Sequence, residues 1–345
     1  MRQEIVRKPD LLDEAYIPQI IPYRDRQISD LEECLRPALS QEKPMNAWLT
    51  GPPGSGKTLV VKFVLKKFSK DGRLGGIYVN CWEHNSYYAV LDKLVRELHV
   101  LGAEKLNTSF KLERLRQFVG AKPFVIILDE IDQPKPAERD SILYNLSSIK
   151  NVGLVIISNS RDMLFSMDER IRSRLNAKLI EFAAYASEYL AEILRLRAEF
   201  ALLAKTWSTR ILRKIAEHAG GDARCAFQTL KNAARCAEAD NSDSIGEKHV
   251  QEGSTTVTGD KKPWLLEKLS SHHRVLLELV KEHGEINSGE LWEAYLDRCR
   301  AENKPAIALR TFSEYMNKLI ELDLVRWDRA LVKGKVRTFR ISELS

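Results

Sequence analysis

Gly51-Pro52-Pro53-Gly54-Ser55-Gly56-Lys57-Thr58 sets three glycines and a lysine–threonine pair within eight residues. Upstream, Asn46-Ala47-Trp48-Leu49-Thr50 is apolar enough for a buried strand. Downstream, Leu59 to Phe68 places Val60, Phe63, Val64 and Phe68 at helical spacing. A glycine-rich turn between strand and helix points backbone N–H groups at a phosphate, and the helix N-terminus adds partial positive charge. The expected nucleotide contacts run from Gly51 through Leu59. Lys57 is placed to reach the β and γ phosphates, and Thr58 to hold Mg²⁺ through its hydroxyl.

Farther along the chain, Phe124-Val125-Ile126-Ile127-Leu128 is a β-branched run that fits a buried parallel strand. It ends in Asp129 and Glu130, at the strand end where open α/β sheets bind ligands. Asp129 is expected to orient Mg²⁺ and Glu130 to polarise the attacking water. Together the two segments predict a chain that binds ATP, hydrolyses it and releases ADP. A third strand, Gly153-Leu154-Val155-Ile156-Ile157, runs into Ser158 and Asn159. Asn159 is the choice for a contact to the γ-phosphate or its water, with Ser158 as the rival.

Further strands are predicted near 76–81 and 178–182, beside those near 46–50, 124–128 and 153–157. Strands alternating with helices up to Phe182 predict a parallel sheet flanked by helices. From Ala186 to about Glu252 no strand signal appears. Helices at 187–204, 208–218 and 223–239 predict a lid, and Arg224 opens the last of them. Arg170 and Arg174, in Asp168-Glu169-Arg170-Ile171-Arg172-Ser173-Arg174, share one helical face. They suit either a γ-phosphate at a subunit boundary or a solvated basic face.

Residues 254–263 read as a linker. From 264 to 345, three helices and a hairpin predict a winged helix-turn-helix. Its third helix is expected to bury Leu309, Phe312, Met316 and Leu319 and to turn Arg310, Ser313 and Asn317 outward, toward a DNA groove. The segment carries 14 basic and 13 acidic residues, yet the hairpin gathers Arg326, Arg329, Lys333, Lys335, Arg337 and Arg340 against Asp328 alone. Lys333, Lys335 and Arg337 are therefore expected to meet phosphates or a groove.

The chain has 345 residues, 54 Lys and Arg against 48 Asp and Glu, and a net charge of +6. That permits nucleic-acid binding without establishing it. Cys34, Cys81, Cys225, Cys236 and Cys299 form no Cys-x-x-Cys pair, which argues against zinc modules and a disulfide framework. A charged N-terminus and the lack of a long apolar run predict no leader, no membrane partner and a cytoplasmic, nucleoid-associated protein.

These parts, in this order, resemble the archaeal origin-recognition and cell-division-control replication initiator family, a branch of the AAA+ ATPases. The likeness spans nearly the whole chain. Tyr16, Ile17 and Pro18, with Pro22, Tyr23, Arg24, Asp25, Arg26 and Gln27, resemble the segment that embraces adenine in that family. Ile77 to Cys81 followed by Tyr87 to Leu91 resembles the opening of its initiator-specific insertion, at about 85–112. Ile157 to Asn159 resembles its sensor strand, and Gly221 to Arg224 its lid arginine motif. The resemblance implies an AAA+ α/β domain (1–182), a lid (183–253) and a winged helix (264–345). It also implies double-stranded origin DNA, the replicative helicase and other initiator subunits as partners. Lys105, Asn107 and Thr108 would touch DNA from the insertion, and Arg170 or Arg174 would be the arginine finger. A clamp-loader-like, DNA-stimulated ATPase and a winged-helix signalling ATPase regulating transcription share many of these parts.

Overall fold

The computed structural model describes residues 4–69, 74–100, 106–119, 122–160, 163–164, 167–254, 270–301, 304, 306–321, 324–329 and 337–341. The chain divides into two compact units, Met1–Val257 and Thr258–Ser345. Nearly all of the expected linker lies outside the described residues, as do Lys105, Lys333 and Lys335.

The first unit holds a five-stranded parallel sheet. Its strands are β1 (Ala47–Thr50), β2 (Gly75–Asn80), β3 (Phe124–Asp129), β4 (Val152–Ser158) and β5 (Lys178–Glu181), in the order β2-β3-β4-β1-β5. Around it lie helices α1 (Asp25–Leu35), α2 (Lys57–Ser69), α3 (Tyr87–Glu97), α4 (Thr108–Val119), α5 (Pro136–Ser147) and α6 (Glu169–Leu175). Apolar residues on both faces of each strand explain the uninterrupted β-branched runs. Ile126 and Leu128 of β3 enter one core with Leu91, Leu94 and Leu115. Val125 and Ile127 enter the opposite core with Val60, Val61 and Val64 of α2. The strand order sets the C-terminal ends of β1, β4 and β3 side by side. The glycine loop, Asn159 and Asp129 therefore emerge at one edge of the sheet.

The expected insertion is built into this core. Leu91, Leu94, Leu112 and Leu115 of α3 and α4 are buried against the sheet. Between the two helices, Lys111 is buried, bonded to Asp92 and set 4.2 Å from the Tyr88 ring centre.

A separate apolar core holds the lid together. Helices α7 (Ser187–Ala201), α8 (Thr209–His218) and α9 (Ala223–Ala239), with α10 at 247–254, surround Leu194, Leu212, Ile215 and Leu230. The N-terminal arm belongs here rather than with the sheet. Ile5 and Leu12 are buried in the lid core, and the Arg7 amide donates to the Ala201 carbonyl (2.8 Å). The Ile5 and Val6 amides both donate to Glu238 Oε1, at 2.7 and 2.8 Å. A sheet domain starting at residue 1 thus differs from the packing, because this pairing joins segments far apart in sequence.

In the second unit, α11 (Ser271–His283), α12 (Ser288–Ala301) and α13 (Leu309–Glu321) pack with an antiparallel sheet. Its strands are β6 (Glu285–Asn287), β7 (Val325–Arg329) and β8 (Arg337–Ile341), in the order β6-β8-β7. This is the winged helix that the sequence predicts, with one strand more than the hairpin. Glu285-Ile286-Asn287 is too short to show alternation, and it pairs with β8 through Ile286 and Phe339. Phe312, Met316 and Leu319 are buried as expected, but Leu309 is 57% exposed. It is the first residue of α13, where a turn has not yet brought the apolar stripe onto the core.

Candidate functional site

The loop from Gly51 to Gly56 takes backbone angles that strongly favour glycine. Gly51, Gly54 and Gly56 have φ values of 150°, 68° and 94°. Gly54 also has no room for a side chain, since a Cβ there would lie 1.9 Å from Asp222 Oδ1. The lid starts on this loop. Ala223 N donates to Gly54 O (3.2 Å), while Asp222 caps α9 by accepting from the Arg224 and Cys225 amides at 2.8 and 3.1 Å. Pro52 O accepts from the Ser55 hydroxyl (2.7 Å), which tightens the turn, and Pro53 lies exposed at its tip.

Lys57 is buried and folds back along the loop. Its ammonium donates to Gly51 O (2.6 Å), Pro52 O (2.9 Å) and Asn159 Oδ1 (3.2 Å). Burial pulls its pKa down to about 8, opposed by the charge of Asp129. One residue on, Thr58 Oγ1 donates to Asp129 Oδ2 across 2.7 Å. Leu59 is half-buried and packs against the core under α2.

Asp129 accepts two more bonds. Tyr78 OH reaches its Oδ2 at 2.7 Å, and the Glu130 amide reaches its Oδ1 at 2.9 Å. Glu130 has φ of 55°, a left-handed conformation at the strand end. Burial raises its pKa, helped by Asp129 and Asp132 and opposed by Arg224 and Lys57. Arg224 is exposed at the start of α9, close enough for its charge to act on Lys57, Glu130 and Tyr78. Asn159, the preferred sensor, reaches Lys57 through Oδ1 and Asp132 Oδ2 through Nδ2 (3.4 Å). Its rival Ser158 is buried and accepts from Trp48 Nε1 (2.9 Å).

The expected adenine arm divides. Tyr16 and Ile17 are half-buried beside the lid, Tyr16 lying under Arg197 at 4.7 Å. Tyr23 stacks on Tyr189 of α7 with ring centres 4.2 Å apart. Arg24 turns inward and is buried. It donates to Ser55 O (3.0 Å) and Ala183 O (2.8 Å), with its guanidinium 3.8 Å from the Tyr185 ring centre. It holds the loop to the start of the lid, a role hidden in sequence because its acceptors are backbone carbonyls.

Arg170 and Arg174 differ in setting. Arg170 is exposed on the first turn of α6, after the Asp168 cap, whereas Arg174 lies 4.4 Å over the Tyr144 ring. In the expected insertion, Asn107 accepts from the Phe110 amide (3.1 Å), and Thr108 begins α4. In the second unit, Arg337 Nη1 donates to Asn317 Oδ1 (3.2 Å) and its guanidinium lies 4.7 Å from the Trp327 ring centre. Arg310 is exposed beside Glu314 (3.4 Å), and the Ser313 hydroxyl donates to Leu309 O (3.1 Å). Among the described residues no group of His, Cys, Asp and Glu is arranged to hold a metal by itself, and no helix is long and apolar enough to cross a membrane.

Two family models match this chain: an AAA ATPase domain over residues 21–157 and a Cdc6 AAA+ ATPase-type lid domain over residues 191–255. ORC1-type DNA replication protein 1 of Halobacterium salinarum is 32% identical over 295 residues, covering 84% of this chain and 94% of that protein. The chain belongs to the ORC1-type DNA replication protein family. An ORC1-type relative from Pyrococcus horikoshii is 29% identical over 368 residues, covering 99% of this chain and 87% of its own. The structure of the Aeropyrum pernix ORC1 protein in complex with DNA matches with a TM-score of 0.89 at 27% identity, over 99% of this chain and 95% of that one. The family expected from the adenine arm, the sensor strand and the lid motif is therefore the right one, and its AAA+, lid and winged-helix parts are all present.

Proposed function

We propose that this chain is an ATP-controlled replication initiator that binds double-stranded origin DNA and helps recruit or load the replicative helicase. The observation that carries the nucleotide half is the pairing of Lys57 with Asn159 and of Thr58 with Asp129, next to a lid resting on Gly54. Lys57 binds the terminal phosphates, and the loop amides hold the rest of the chain of phosphates. A hydroxyl and a carboxylate oxygen 2.7 Å apart are hard donors of the kind Mg²⁺ takes together with phosphate oxygens. When bound, Mg²⁺ supplies charge neutralisation at the phosphates. Glu130, its pKa raised by burial, accepts the proton of the attacking water, and Asn159 orients that water or the γ-phosphate.

Arg224 links the lid to the same ligand, so nucleotide biases the lid by its different affinity for the two lid positions. Arg170 or Arg174 serves a neighbouring subunit. The isolated chain then turns over slowly, because such fingers are worth on the order of 10³–10⁵ in rate. Adenine is expected between Tyr16, Ile17 and Tyr23. The DNA half rests on family membership, on the DNA-bound relative and on the Arg337–Asn317–Trp327 group.

The test is footprinting on the DNA flanking the gene, with wild type, Arg337→Ala and Lys57→Ala. Wild type is expected to protect a site there. Arg337→Ala should lose the protection, and Lys57→Ala should lose nucleotide while keeping much of its DNA affinity. Equal protection by all three would contradict the assignment of the winged helix as the DNA contact.

A further inference from the structure

The Asp129 carboxylate is held by donors from three elements. Thr58 of α2 and Tyr78 of β2 both donate to Oδ2 at 2.7 Å, and the Glu130 amide donates to Oδ1 at 2.9 Å. Tyr78 lies mid-strand, paired in register with Ile127 of β3. Its ring packs toward the α2 side of the sheet, where the Lys62 ammonium lies 5.1 Å from its centre. Tyr78 falls within the Ile77–Cys81 segment, but nothing in that segment marks a contact to Asp129.

A carboxylate turns about its own Cβ unless both oxygens are tied. In the ATPase reading, on which this inference rests, Thr58 is itself a ligand of the cation. That leaves the Tyr78 hydroxyl and the Glu130 amide as the partners that fix Asp129 independently of the cation. Removing the hydroxyl would leave Oδ2 tied only through Thr58. We infer that Tyr78 is a positioning residue for Mg²⁺-dependent nucleotide binding, holding Asp129 Oδ2 where the cation is to be received.

The experiment uses the full chain, a fluorescent ADP analogue, and titration with MgCl₂ against an EDTA control. Tyr78→Phe keeps the ring and deletes only the donor. It should leave affinity in EDTA unchanged and raise the Mg²⁺ concentration at half-effect roughly tenfold, the scale of one charge-assisted hydrogen bond. Lys62→Ala, which removes the cation over the ring and keeps the hydroxyl, should leave that midpoint where it is. An unmoved midpoint in Tyr78→Phe would overturn the inference. So would an equal loss of affinity with and without Mg²⁺, or the same midpoint shift in Lys62→Ala, since either marks a packing role. Failure of wild type to bind the analogue in either buffer would overturn the nucleotide reading itself, a result distinct from the others.

Discussion

Ala223 N donates to Gly54 O across 3.2 Å, so the first turn of a lid helix rests directly on the phosphate-loop backbone. Gly54 serves this contact twice, through its φ of 68° and through the lack of a Cβ that would collide with Asp222. Gly54→Ala is expected to cost about 1–3 kcal/mol in stability from backbone strain alone, and more from the displaced lid. Thermal unfolding measures the first effect. Nucleotide affinity measures the second and should fall with it. Asp222→Ala, which removes only the cap of α9, should cost about 1 kcal/mol.

Arg24 predicts a stability effect where sequence predicts a ligand effect. Its guanidinium donates to Ser55 O and Ala183 O from a buried site. Arg24→Ala is expected to lower stability by roughly 1.5–3 kcal/mol, the scale for hydrogen bonds from a charged group. Denaturant unfolding without nucleotide checks it. Lysine has one ammonium in place of a planar fork, so Arg24→Lys should recover only part of the loss.

The winged helix should weaken in acid. His273 stacks on Tyr315 with ring centres 3.9 Å apart, its Nδ1 pairs with Ser270 Oγ (2.7 Å), and its Nε2 is buried without a partner. Burial, then the charges of Lys318 and His272, push its pKa below 6.5. Between the folded and unfolded values the unfolded chain binds more protons, so stability rises with pH across that window. The C-terminal unit should therefore be most stable above 6.5 and lose stability as pH falls below it. Hydrogen exchange of peptides from α11 and α13 in the full chain, one unit either side of 6.5, should show faster opening on the acid side. His273→Phe should flatten the difference.

Salt should reveal the phosphate contacts. Four or five contacts from the basic hairpin and α13 predict a slope of about −4 in log K against log salt. Arg337→Ala should make that slope shallower by about 1 if Arg337 meets a phosphate. Fluorescence anisotropy on the protected DNA, over a series of salt concentrations, measures both values.

The strands were the most legible part of the fold. Expected runs near 46–50, 76–81, 124–128, 153–157 and 178–182 match the observed strands to within a residue or so, because buried parallel strands are written as local apolar runs. The paired motifs also marked which side chains converge, and Lys57, Asn159, Thr58 and Asp129 do meet. What sequence hid depends on partners distant along the chain. Tyr78 is one of several aromatic residues until β2 lies beside β3 and brings its hydroxyl to Asp129. Ile5 and Leu12 carry no mark of the lid they complete. Arg24 stands in the expected adenine segment and is spent on backbone carbonyls. Leu309 fits the apolar spacing of α13, yet it lies at the helix start, outside the reach of the core.

In the proposed function the Gly51–Thr58 loop binds ATP, and Lys57 carries much of that binding. Calorimetric titration of ATP with Mg²⁺ into wild type and Lys57→Ala measures both. Wild type should bind one nucleotide per chain, and Lys57→Ala should bind at least tenfold more weakly, a difference of about 1.4 kcal/mol or more. Equal affinity in the two proteins would rule out that role for Lys57, and no binding by wild type would rule out ATP as the ligand of this loop.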